Sequence, residues 1–74
     1  MTSFPAVKGK DLVAALARGG FSTVRIKGSH YFVRHADGRA TVIPVHAGET
    51  IGQGLFARIL RDAKLTREQL QKLL

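Results

Sequence analysis

Seventy-four residues without a cysteine leave no disulfide and no thiolate metal site, so packing alone must hold the fold and covalent thiol catalysis is excluded. Twelve Lys and Arg against five Asp and Glu give a formal net charge of +7. Such a surplus favours a polyanion partner, chiefly nucleic acid; a membrane surface is the weaker option and a merely solubilising charge the bland one. Apolar runs are only a few residues long, and no helical stretch joins a basic face to bulky aromatic anchors, so no membrane role is expected. Met1 to Val7 lacks the basic start and apolar run of an exported chain, which makes the expected location cytoplasmic.

Without repeats, low-complexity tracts or a linker, residues 1–74 read as one domain. Leu12, Val13, Leu16 and Ala17 recur at helical spacing, and Gly19-Gly20 stops the run. Phe21 is expected to pack back on that helix. Thr23-Val24-Arg25-Ile26-Lys27 alternates strictly, predicting a strand with Val24 and Ile26 buried and a wet face of Thr23, Arg25 and Lys27. Gly28-Ser29 then turns into a second strand, Tyr31 to Arg34, whose inward set is either Tyr31/Val33 or His30/Phe32. Ala36-Asp37-Gly38-Arg39 is a hairpin signal, and Thr41 to Val45 closes a three-stranded meander with Pro44 at an edge or an end.

The last third is helical. Thr50 with Gln53 has the form of a capping box ahead of the stripe Leu55, Phe56, Ile59, Leu60 and Ala63. Lys64-Leu65 breaks the pattern. Thr66 with Gln69 repeats the capping form and opens a short helix bearing Leu70, Leu73 and Leu74. The order is α-β-β-β-α-α, an α+β fold with helices on one sheet face and the other face free for a partner.

Few residues carry chemistry. Asp11, Asp37, Glu49, Asp62 and Glu68 are scattered and form no acid/base pair, and no Gly-rich phosphate loop is present. His30, His35 and His46 lack the company of a zinc site, so no metal or cofactor is expected. His35, beside a turn, reads as structural. His30 follows a glycine turn, with Ser29 and Lys27 close by on a basic chain. RNA brings its own nucleophile, the 2′-hydroxyl; a ribonuclease then needs a proton carrier and cations for the phosphate. Imidazole meets the first need, and Arg25, Lys27 and Arg34 meet the second. A surface histidine with no role is the competing reading.

Gly20-Phe21, Lys27 to Val33, Asp37-Gly38-Arg39, Thr41 to His46 and the helix from Ile51 to Leu60 occur in an order that resembles the HicA toxin family, over Lys10 to Leu70. The resemblance implies a fold like that of double-stranded-RNA-binding domains. It also implies a messenger RNA interferase that works without the ribosome and a HicB-type antitoxin as partner. By the same resemblance His30 is the catalytic histidine and Gly28 and Ser29 shape its site. Lys27 and neighbouring basic residues, Arg25, Arg34 and Arg39 among them, would hold the RNA. His46 matches a position that is frequently histidine in the family, without a catalytic role. Gly52 stands where many relatives have proline, and Leu55 where they have Thr or Ser at a helix start, an end that often binds phosphate.

Three readings follow. The first is an endoribonuclease toxin using His30 as general acid or base. The second is a non-catalytic double-stranded-RNA-binding module that reads shape and phosphates. The third takes the charge as a docking face for an acidic protein, which the toxin reading partly contains because an antitoxin must cover the same surface.

Overall fold

The computed structural model of the protein describes residues 6–74. The export reading of Met1 to Val7 rests chiefly on residues outside that range. In chain order the elements are α1 (Gly9–Arg18), β1 (Phe21–Lys27), β2 (His30–His35), β3 (Ala40–Pro44), α2 (Gln53–Ala63) and α3 (Arg67–Leu73). The three strands form one antiparallel sheet in the order β1-β2-β3, giving the expected α+β arrangement. Among the described residues no helix is long and apolar enough to cross a membrane.

One side of the sheet carries the core. Leu12, Ala15 and Leu16 of α1 meet Phe21, Val33 and Ile43 from the strands. Phe56, Ile59, Leu60 and Ala63 of α2 and Leu70 of α3 complete it. The buried face of α1 is turned slightly from the predicted stripe: Ala15 is inside and Ala17 is exposed. Phe21 is buried beside α1 as expected, and Leu73 is half-buried, whereas Leu74 is exposed.

Val33, in the middle strand, settles which way β2 faces. It is only 2% exposed. Residues directly opposite each other in antiparallel strands share a face, so Val33 brings Thr23 and Thr41 inward with it. Tyr31, two residues away, points the same way between Ile26 and Ile43. Tyr31/Val33 is therefore the inward set. His30, Phe32 and Arg34 face outward, opposite Lys27, Arg25 and Ser22 on one side and Pro44, Val42 and Ala40 on the other.

β1 departs from its predicted pattern. Val24 is 62% exposed and Ile26 55% exposed, rather than buried. Two causes act together. The pairing shifts between Thr23 and Arg25, leaving Val24 as the extra residue of a β-bulge. Thr23 consequently lies on the inner face, and only Arg25 and Lys27 belong to the wet outer one. Beyond Phe21, moreover, β1 is an edge strand with no buried residue, so even the inward Ile26 stays in water.

The two capping forms part company. Thr66 and Gln69 make the full reciprocal box, with Gln69 N–H donating to Thr66 Oγ1 at 3.1 Å and Thr66 N–H donating to Gln69 Oε1 at 2.8 Å. Thr50 caps nothing: it bridges Lys8, and Gly52 is the N-cap of α2 without a side-chain bond. Ile51 N–H donates to the Val7 carbonyl at 2.7 Å, so the segment before α2 is tied to the chain's start and Thr50 is drawn off the helix axis.

At Gly9 the start of α1 lies tight against the backbone at the end of β3. A Cβ there would collide with the Pro44 carbonyl oxygen and come within 3.0 Å of Val45 Cα, both backbone atoms that no side-chain rotation moves. Gly9→Ala should lower unfolding free energy by about 1–3 kcal/mol, the range for overpacked cores, read as a lower urea midpoint at unchanged slope. Gly54, in the first turn of α2, has open space where its Cβ would stand. Gly54→Ala should raise stability by about 0.5–1 kcal/mol through helix propensity. A falling midpoint for Gly54→Ala would show that Gly54 does not stand in open space in the first turn of α2.

Candidate nucleic-acid interface and catalytic histidine

The outer face is built by parity and by one turn. Gly28, at φ 60°, and Ser29 connect β1 to β2, and the left-handed backbone at Gly28 is one that side chains other than Gly, Asn and Asp seldom adopt. The turn is anchored on its far side, where Val45 N–H donates to the Ser29 carbonyl at 2.7 Å. Ser29 Oγ also lies 3.4 Å from His46 Nε2. His30, the first residue of β2, is exposed on the outer face with Lys27 directly across from it on β1.

Next along that face comes Phe32, half-buried, with the Arg25 guanidinium carbon 5.9 Å from its ring centroid. Arg34 follows two residues later. Arg25, Lys27, Gly28, Ser29, His30 and Arg34 thus gather on the outer face and its turn, a placement that the sequence left open for the residues of β2. Among the described residues neither Arg25, Lys27 nor Arg34 is engaged in an ion pair.

The sheet face has a wall that sequence reasoning missed. Leu55 and Arg58 of α2 line one groove with His30, Val42 and Pro44. Arg58 and Asp62 also border the adjoining depression over Phe32 and Val42. α2 therefore runs along the β3 edge, where Thr41 Oγ1 donates to Asp62 Oδ2 at 3.1 Å, and reaches round to the outer face. Arg58 is 61% exposed, and its Nε stands 3.8 Å from Asp62 Oδ2, a loose helical pair worth little in water. Its charge is available to a phosphate. One signal was present in the sequence: Leu55 and Arg58 are three apart on a helix and must share a side. Nothing local showed that this side overlooks His30.

Arg39 is placed elsewhere and given other work. Its Nε donates to Asp37 Oδ2 at 2.8 Å, its Nη1 donates to the Ala63 carbonyl at 2.6 Å, and its guanidinium carbon lies 5.1 Å from the Phe21 ring centroid. It ties the β2–β3 hairpin to the end of α2. Asp37 accepts from the Arg39 backbone N–H as well, at 3.0 Å. That bond first, and the Arg39 guanidinium after it, hold the Asp37 carboxyl below the usual carboxylate range. His35 is structural too. Its ring meets Phe21 edge-on at 5.2 Å, and its Nδ1 accepts from Asp37 N–H at 3.1 Å. Among the described residues no three of His, Asp and Glu come together as a metal-holding group.

A family model described as the HicA toxin of bacterial toxin–antitoxin systems matches residues 9–65, from the first residue of α1 to just beyond α2. No curated protein matches the chain.

Removing the Arg39 fork strands the Ala63 carbonyl, so Arg39→Ala should cost about 1–3 kcal/mol of stability, as for a hydrogen-bonded group left unpaired. Arg39→Lys should recover little of it, because an ammonium cannot bond Asp37 and Ala63 in the same planar geometry. Urea unfolding of the two variants decides. Wild-type stability in both would mean that the guanidinium is not a tie.

Proposed function

The chain belongs to the HicA toxin family of bacterial toxin–antitoxin systems, whose members are generally ribonucleases, and from that premise we propose that it is a messenger RNA interferase: a metal-independent endoribonuclease, acting without the ribosome, with His30 as its proton carrier. The observation that supports this most directly is the position of His30. It stands on the uncovered sheet face, opposite Lys27 and in one groove with Arg58, where an RNA strand can reach it. Imidazole exchanges protons near neutral pH, and the cations around it favour the charge that builds on a phosphate under attack.

The reaction is transesterification. The 2′-oxygen bonds to phosphorus and the bond from phosphorus to the 5′-oxygen breaks, leaving a 2′,3′-cyclic phosphate and a free 5′-hydroxyl. One proton leaves the 2′-hydroxyl and one is delivered to the 5′-oxygen. His30 serves one of these transfers, as base in its neutral form or as acid in its charged form. Arg25, Lys27, Arg34 and Arg58 hold the backbone, while Gly28 and Ser29 set the turn that presents the imidazole. A HicB-type antitoxin is the proposed protein partner, binding the same basic face.

Expression of the protein without its antitoxin should arrest growth and degrade messenger RNA. His30→Ala should do neither, and the purified variant should cleave about 100- to 10,000-fold more slowly than wild type, the usual worth of a general acid or base. Cleavage should persist in a metal chelator and yield cyclic-phosphate ends. Equal growth arrest and equal RNA decay with His30→Ala would remove His30 from the reaction.

A further inference from the structure

The outer face carries more than cations and a histidine. Phe32 and Val42 lie side by side on it, directly paired across β2 and β3, and the bulge residue Val24 borders the same depression. None of the three belongs to the core or packs against it. Three apolar side chains, one of them aromatic, therefore lie on the uncovered side of a small basic domain without contributing to its folding core. Arg25, Arg34 and Arg58 border this floor together with one carboxylate, Asp62, which accepts from Thr41 Oγ1; three cations against one anion make an anionic polymer the complementary occupant.

We infer that the Phe32–Val42 depression is a nucleobase subsite, in which a base next to the scissile phosphate stacks on the Phe32 ring, and that the substrate is accordingly single-stranded RNA. This rests on the ribonuclease reading for its use and not for its geometry. Phe32 is two residues from His30 on the same strand face, about 6.6 Å along β2. That separation suits a phosphate at His30 and its neighbouring base at Phe32. The Arg25 guanidinium lies near the outer limit of a cation–π contact with the ring, so a base can take its place while the guanidinium turns to a phosphate. An aromatic floor with arginines at its rim is how sequence-tolerant single-strand sites are built, since every base has a π-face. A duplex offers no such face, because its bases are already stacked on one another. The fold resembles that of duplex-binding domains, but this surface selects the unpaired strand.

The test measures binding and leaves cleavage aside. A short 2′-O-methyl RNA, which has no free 2′-hydroxyl to attack, is titrated as an intact strand, as a set with one abasic position moved along it, and annealed to its complement. Wild type should bind the intact strand more tightly than the duplex. At one position base removal should cost roughly 5- to 150-fold in affinity, the span of base–aromatic stacking. Phe32→Leu, which keeps an apolar side chain but lacks the ring, should bind the intact strand weaker by a similar factor and show no further loss at that position. Phe32→Tyr should behave as wild type. Each comparison is made within one protein, so a lowered melting temperature of the Leu variant does not imitate the result. An abasic penalty equal in wild type and Phe32→Leu overturns the subsite, as does a duplex bound as tightly as the strand. Failure of wild type to cut unmodified RNA while the coupling holds would sink the ribonuclease reading alone; cutting without the coupling would sink the subsite alone.

Discussion

Burial of Val33 in the central strand is the constraint from which the working surface follows. Side chains alternate across a strand, so a one-residue slip would turn every inward residue of β2 outward. Leu12, Leu16, Ile43 and Ile59, all nearly inaccessible, make Val33 part of one packed layer and forbid that slip. With Val33 held inside, His30, Phe32 and Arg34 have no alternative to the open face. Gly9 strengthens the constraint from the other side, since α1 can lie this close to the Pro44–Val45 backbone only without a Cβ at that position. The surface proposed to hold RNA is thus set by packing on the opposite side of the sheet.

The sequence made some of this legible and hid the rest for identifiable reasons. Element order, the Thr66–Gln69 box and the Asp37-Gly38 hairpin were readable because each depends on neighbours a few residues apart. The orientation of β2 was not, because Tyr31, Phe32 and Val33 are all apolar and fit either parity. β1 misled for a different reason. Strict alternation puts Val24 and Ile26 on one face, but the bulge at Val24 separates them, and coverage depends on helices from distant parts of the chain, which leave no residue of β1 beyond Phe21 buried. Thr50 shows the same limit at smaller scale, a capping pattern overridden by the contact between Val7 and Ile51. Arg58 enters the site only because α2 follows the β3 edge, a tertiary fact with no local signature.

The arginines divide according to what surrounds them. Arg39 sits over Phe21 with its Nε bonded to Asp37 and its Nη1 to the Ala63 carbonyl, so it holds the hairpin to α2. Arg25 and Arg34 lie on the open face outside any ion pair among the described residues, and Arg58 has a distant one. Charge composition alone weights all of them equally as RNA contacts. Partner geometry separates a cation that stabilises the protein from one whose field is left for a ligand.

The β1 edge, with Val24 and Ile26 in water, is of a kind that is normally a liability for edge-to-edge pairing. The chain carries the usual protections there: a bulge that interrupts the ladder at Val24, and Arg25 and Lys27 flanking the exposed Ile26. Covering the edge with a further helix would make the domain more stable. It would also set a wall beside the Gly28-Ser29 turn and the Lys27–His30 pair that the turn presents. On the other side the groove already has its wall in α2. A polymer substrate needs a way in and a way out, and a second wall would turn an open sheet face into a closed cleft. Leaving β1 uncovered, guarded by charge and a bulge, keeps the face open to a strand while the core stays on the other side of the sheet.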